Sequence, residues 1–276
     1  MSLVTALLLA QLGPGGALPQ APLEIKRRPA ASSVAMPAVT TRIGRCMGKA
    51  QSDPEAALAE GEAWLNEVRG SARAEPGACL GLAFSQLGRW EEAEASYVAA
   101  LDIAASNERS RKAQLGAMAG NAALAASAPE RAAGLLALAH ADSLAGGDRV
   151  QAGRIAADWA SALVAQGKLD EAADKLALAR AEAPGQAVVW LLSATLSRRQ
   201  DKLAEAQRQI EEAARLDPRD PEIGLEAGVI AVLGGRDGAA RQSWRSVLAT
   251  APGSTFAQTA QSYLDQLGGE AAPEGR

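Results

Sequence analysis

The spacing of Ala172, Ala206 and Ala240, one every 34 residues, constrains the fold of this chain more than any other feature. Around each alanine the same order of residues returns. Gln166-Gly167-Lys168-Leu169-Asp170-Glu171-Ala172 is followed by Leu176, Ala179 and Pro184; the pattern recurs through Ala206, Ile210, Ala213 and Pro218, then through Gly228, Gly235, Ala240, Trp244 and Pro252. An earlier copy runs from Cys79 through Gly88 to Ala93, with Tyr97, Ala100 and Leu101 behind it. A period of roughly 20–50 residues marks a chain built by stacking one supersecondary unit, because a single unit cannot bury its own apolar face.

Within each copy the apolar residues recur at steps of three and four, which predicts two helices. Gly88, Gly167 and Gly235 suit the left-handed residue that ends the first helix, and Pro184, Pro218 and Pro252 close the second because proline cannot extend the hydrogen-bond ladder. Small residues stand at Gly81, Gly120, Ala160, Ala194 and Gly228 on first helices, and at Ala93, Ala132, Ala172, Ala206 and Ala240 on second helices. They let the two backbones approach closely, where bulkier side chains would force them apart. This accounts for a chain of 276 residues with 65 alanines, 48% hydrophobic yet only 3% aromatic. Such a composition lacks the β-branched and aromatic residues of strands, so the fold class is all-α.

The unit resembles that of the tetratricopeptide repeat (TPR) family, a 34-residue helix–turn–helix. The resemblance spans residues 37–268 in six units, near 37–70, 74–107, 113–146, 153–186, 187–220 and 221–254, and implies a right-handed α-solenoid. A capping helix follows at 255–267, with Phe256, Ala260, Tyr263, Leu264 and Leu267 on one face. The first unit is the weakest match, resting on Ile43-Gly44, Met47, Ala56 and Ala63; the third has Ser127 at the turn glycine, and the fourth has Trp159 where leucine is usual. Extra residues near 107–112 and 147–152 break the period and predict longer or kinked helices there.

In TPR proteins the first helices line the concave groove. The resemblance therefore places Asn121, Leu124, Arg154, Ser161, Val164, Leu191, Thr195, Arg198, Leu225, Val229 and Val232 on that surface. Apolar residues with a few polar anchors suit a protein or peptide partner, with Arg154 and Arg198 available to a carboxylate; Arg198 and Arg199 equally suit the negative end of their helix. Members that grip acidic chaperone C-termini use a Lys/Asn/Arg clamp, of which only Asn121 is present. Ala117, Asp158, Val188 and Leu192 occupy the other clamp positions, which argues against that role. Cys46 and Cys79 fall on first helices of adjacent units, about one turn out of step. They form a disulfide if the chain is exported, or two buried thiols if it is cytosolic.

Other chemistries find little support. A net charge of −4 without a basic face excludes nucleic acid as the expected partner. One histidine and two cysteines are too few for a zinc site, so neither a metal nor another cofactor is expected. His140 has no serine, cysteine or carboxylate at a spacing that makes a dyad, and neither a small-molecule substrate nor an enzyme activity is indicated. Glu91-Glu92 and Glu211-Glu212 read as solvated faces, with Glu211 and Arg215 spaced as an i,i+4 ion pair. Trp159, Trp190 and Trp244 fall on packing positions and read as core, Trp64 lies on an apolar side, and Trp90 sits at a turn.

At the start, Leu3 to Leu12 is an apolar run too short to span a bilayer. Followed by Gly15-Gly16-Ala17, it reads either as a signal peptide over 1–17 without the usual basic start, or as a short hydrophobic helix. Residues 18–36 read as a Pro/Ala-rich linker whose Lys26-Arg27-Arg28 is solvated or in weak contact with acidic lipid head groups; 269–276 read as a disordered tail. The expectation is a periplasmic or otherwise exported interaction scaffold, the alternatives being a cytoplasmic location and a self-associating structural protein.

Overall fold

The structure, a computed structural model, describes residues 41–268. The expected signal segment, linker and C-terminal tail lie outside the described residues. Six helix pairs run in order: α1 (Arg42–Ser52) and α2 (Pro54–Glu67), α3 (Ala74–Gln86) and α4 (Trp90–Ile103), α5 (Arg109–Ala125) and α6 (Pro129–Ala145), α7 (Arg149–Ala165) and α8 (Leu169–Glu182), α9 (Ala187–Arg199) and α10 (Leu203–Leu216), α11 (Pro221–Leu233) and α12 (Asp237–Thr250). A single helix, α13 (Thr255–Gln266), packs against both α12 and α11, as the expected cap should. The described residues contain no strand. The extra residues near 107–112 and 147–152 are absorbed as longer helices: α5, α6 and α7 each have 17 residues.

Local chemistry sets the boundaries. The side chains of Thr41, Asp53, Asp148, Asp220 and Ser254 accept hydrogen bonds from first-turn backbone N–H groups, and Pro54, Pro129 and Pro221 open their helices where no N–H is needed. Asp53, the single residue between α1 and α2, lies at φ −148°, whereas the turn inside each pair from α3–α4 onward needs a left-handed residue. Gly167 supplies it at φ 77°, whereas Ser127 and Asp201 adopt φ 59° at the same place in their own pairs. A side chain in that conformation costs roughly 1 kcal/mol, which the surrounding packing must offset.

The pairs are held by one recurring contact. Sixteen residues after the small residue of each first helix stands a large, buried one on the second: Tyr97 after Gly81, Leu136 after Gly120, Leu176 after Ala160, Ile210 after Ala194 and Trp244 after Gly228. At the three glycines the fit leaves no room for a side chain. A Cβ on Gly228 would lie 2.0 Å from the Trp244 indole nitrogen, one on Gly81 2.5 Å from Tyr97, and one on Gly120 2.6 Å from Leu136. Trp244 is fully buried and donates its indole N–H to the Leu225 carbonyl at 3.2 Å. Burial pushes the Tyr97 phenol far above its ordinary range, with a hydrogen bond to Ser85 opposing. The five second-helix alanines, Ala93, Ala132, Ala172, Ala206 and Ala240, are all at 0% exposure.

The first pair lacks this contact. Its turn is shortened to Asp53, and α2 buries Ala57, Gly61 and Trp64 where α4 buries Ala93, Tyr97 and Ala100, so Gly61 stands in the place of the large residue. This pair is joined to the next covalently as well as by packing: Cys46 on α1 and Cys79 on α3, both at 0% exposure, form a disulfide with Cα atoms 5.9 Å apart. Around it lie Ala50, Ala57, Trp64 and Ala83, a core with one large side chain. Closing a loop of this length stabilises by roughly 3–4 kcal/mol on the chain-entropy model. The Cys46→Ser/Cys79→Ser double variant should therefore lose hydrogen-exchange protection across α1 and α2 first. Protection in α7 to α12 should stay within about a factor of two of the parent; uniform loss along the chain would contradict a local staple.

Candidate functional site

First helices form the inner layer. α5 touches α7, α7 touches α9, α9 touches α11 and α11 touches α13, while no comparable backbone approach joins one second helix to the next among the described residues. The sequence-predicted groove residues divide into three groups on this layer.

The polar anchors are bound to neighbouring helices. Asn121 on α5 donates to Asp158 on α7 at 2.9 Å; Arg154 on α7 donates twice to the Gln186 side-chain oxygen ahead of α9, at 3.0 and 2.6 Å; Arg198 on α9 forms a two-pronged pair with Glu226 on α11, at 2.6 and 3.3 Å. The Arg198 and Glu226 side chains are only 15% and 12% exposed. Arg198 thus serves the stacking of α9 on α11, a role beyond the helix-end and carboxylate-binding alternatives considered from sequence. Removing Glu226 would leave a poorly hydrated cation, which is costlier than losing a surface pair.

Two expected groove residues belong elsewhere. Leu191 is 4% exposed and packs with Ala194, Ile210, Ile223 and Ile230, and Ser161 is 5% exposed with its hydroxyl turned back to the Ala157 carbonyl at 3.1 Å. Both point toward the helix contact rather than the groove, because the stacking angle carries their position on the first helix under the next pair. Thr195 is half-buried and donates to the Leu191 carbonyl. Leu124, Val164, Leu225, Val229 and Val232 remain half-buried on the inner layer. Of the clamp positions, Val188 is 50% exposed and Asp158 is engaged with Asn121.

Other expectations change as well. His140 does have a carboxylate: its Nε2 lies 2.9 Å from Glu182 Oε2, both residues being buried between α6 and the last turn of α8. Forty-two residues separate them, so only the stacking brings them together. The nearby Ser143 hydroxyl donates to the Asp148 carbonyl and is not directed at His140, which leaves a structural pair without a nucleophile. Arg215 pairs with Glu212 rather than Glu211. Trp244 and Trp64 are core, but Trp159 and Trp190 are half-buried; the Lys175 ammonium lies 4.0 Å from the Trp159 ring centre, and Trp190 donates to the Pro184 carbonyl at 2.8 Å. Among the described residues no three His, Cys, Asp or Glu side chains are grouped to hold a metal, and no helix is long and apolar enough to cross a membrane.

The helix-pair architecture is shared with solved structures. The chain superposes on PilF of Pseudomonas aeruginosa with a TM-score of 0.62 at 19% identity, covering 80% of this chain and 95% of that one. It matches TTC0263, a thermophilic TPR protein of Thermus thermophilus, with a TM-score of 0.54 at 18% identity, over 69% of this chain and 98% of that one. The fold is a tetratricopeptide-repeat solenoid. The apo form of the quorum sensor NprR from B. thuringiensis is also similar, with a TM-score of 0.62 at 11% identity, covering 82% of this chain and 69% of that one. No protein-family model and no curated protein sequence matches the chain.

Within this TPR solenoid, the partners of the polar anchors escaped sequence reading, although Asp158 and Glu226 stand two repeat lengths apart, a recurrence that flags an inter-helix acid. Surface and core roles on the inner layer separate cleanly by substitution. Leu191→Asp should cost about 3 kcal/mol or more, since it buries an unpaired charge, whereas Val229→Asp should stay within about 1 kcal/mol. Thermal unfolding followed by circular dichroism distinguishes them; equal losses would place Val229 in the core too.

Proposed function

We propose that this chain is a non-catalytic scaffold that binds a protein or peptide segment along the inner layer of first helices, and that it works in an oxidising compartment of the cell envelope. The observation that carries the binding role is the set of incompletely buried apolar side chains grouped on that layer, Val188 and Leu233 at 50% and 48% exposure and Leu225, Val229 and Val232 half-buried. TPR solenoids among the similar structures support a role in protein interaction rather than chemistry. The buried Cys46–Cys79 bond supports the compartment, because such bonds persist where thiols are not kept reduced.

Affinity purification from cells that make the protein tests both parts. An inner-layer variant, Asn121→Lys/Val229→Asp, should lose the principal partner, and an outer variant, Glu91→Lys/Glu211→Lys, should retain it. Alkylation of the recovered protein under denaturing, non-reducing conditions should find no free thiol. A partner indifferent to the inner-layer variant, or two free thiols, would contradict the respective half.

A further inference from the structure

On α9 the side chains left outside the core, Val188, Leu192, Thr195 and Arg199, recur at steps of three and four and so share one line along the helix. On α11 the corresponding line is Leu225, Val229, Val232 and Leu233. The Arg198–Glu226 pair lies in the seam between them, which fixes the two lines as neighbours on one surface. The result is an apolar strip about 16 Å long, from the rise of about eleven helical residues. On the α7 side it is bordered by the polar Arg154 and Asp158.

Two features select the occupant. The seam pair is internally neutral and mostly buried, so a carboxylate that sought Arg198 would have to displace Glu226 and strand its charge. An extended peptide brings unpaired backbone N–H and C=O groups, and a strip of valine and leucine on two closed helices offers them no partners. A helix satisfies its own backbone and presents only side chains. Charge then sets direction. The exposed Arg199 closes α9 at the C-terminal end of the strip, favouring a helix whose acidic C-terminal end meets it.

We infer that the α9–α11 strip docks an amphipathic partner helix of about three turns through an uncharged apolar face, oriented parallel to α9 with a carboxylate at Arg199. This rests on the inner-layer reading above and narrows it. Fluorescence anisotropy on the full chain tests it with three synthetic probes: a helix-forming Ala/Gln peptide with leucines on one face and a glutamate near its C-terminus, the same peptide broken by two prolines, and an extended acidic peptide. The helical probe should bind, the proline version at least tenfold more weakly. Leu192→Asp and Val229→Asp should each weaken the helical probe at least tenfold with helicity unchanged. Arg199→Glu should weaken it severalfold, and exchanging the probe's glutamate for lysine should restore binding to that variant. Absence of saturable binding by the helical probe, indifference to Leu192 and Val229, or tighter binding of the acidic peptide with loss on Arg198→Ala would overturn the inference. If the natural partner is still lost from the inner-layer variant while the helical probe fails, the scaffold reading stands and only the helical occupant falls.

Discussion

A large side chain seated over a residue with little or no side chain, sixteen positions earlier on the partner helix, is the contact on which the remaining architecture depends. It brings the two backbones of a pair together, and the alanine on the second helix keeps them there. Burying one such leucine or isoleucine is worth roughly 1.5–3 kcal/mol, and the aromatic seats at Tyr97 and Trp244 more. The same contact explains why a protein with so few aromatics needs no more of them. In the first pair Gly61 stands where the large residue belongs, and a disulfide ties α1 to α3 of the next pair.

Stacking the pairs in this way commits first helices to each other and leaves one side of each uncovered. Polar residues on that side are used between helices: Asn121 with Asp158, Arg154 with Gln186 and Arg198 with Glu226 fix the spacing of successive first helices. What remains for a partner is mainly apolar and concentrated on α9 and α11. The inner layer is thus held in place by its own polar pairs, and on the proposed reading a partner would be recognised by shape and apolar contact more than by charge.

Much of this was legible in the residues because repetition amplifies weak signals. One small residue on a helix says little, but Gly81, Gly120, Ala160, Ala194 and Gly228 in matching places identify a helix contact, and every one has its large partner. The meeting of Cys46 and Cys79 follows from repeat register as well. Side-chain pairing across repeats was not legible. Asn121–Asp158, Arg154–Gln186, Arg198–Glu226 and His140–Glu182 are separated by 37, 32, 28 and 42 residues, offsets set by the stacking angle and the reach of each side chain rather than by the repeat period. For the same reason Leu191 and Ser161, placed in the groove by repeat position, lie under the neighbouring pair instead.

The seat contact itself is tested most directly by a double-mutant cycle on Gly228 and Trp244, read as unfolding free energy in denaturant. Gly228→Ala places a methyl where the indole now sits and should cost roughly 1–3 kcal/mol by overpacking, and Trp244→Ala should cost about 3–5 kcal/mol by emptying the seat. With Trp244 already removed, the Gly228 methyl should cost little or become stabilising through its helix propensity, giving a coupling of at least about 1 kcal/mol. Additive losses would mean that the close approach of the two helices does not depend on this contact.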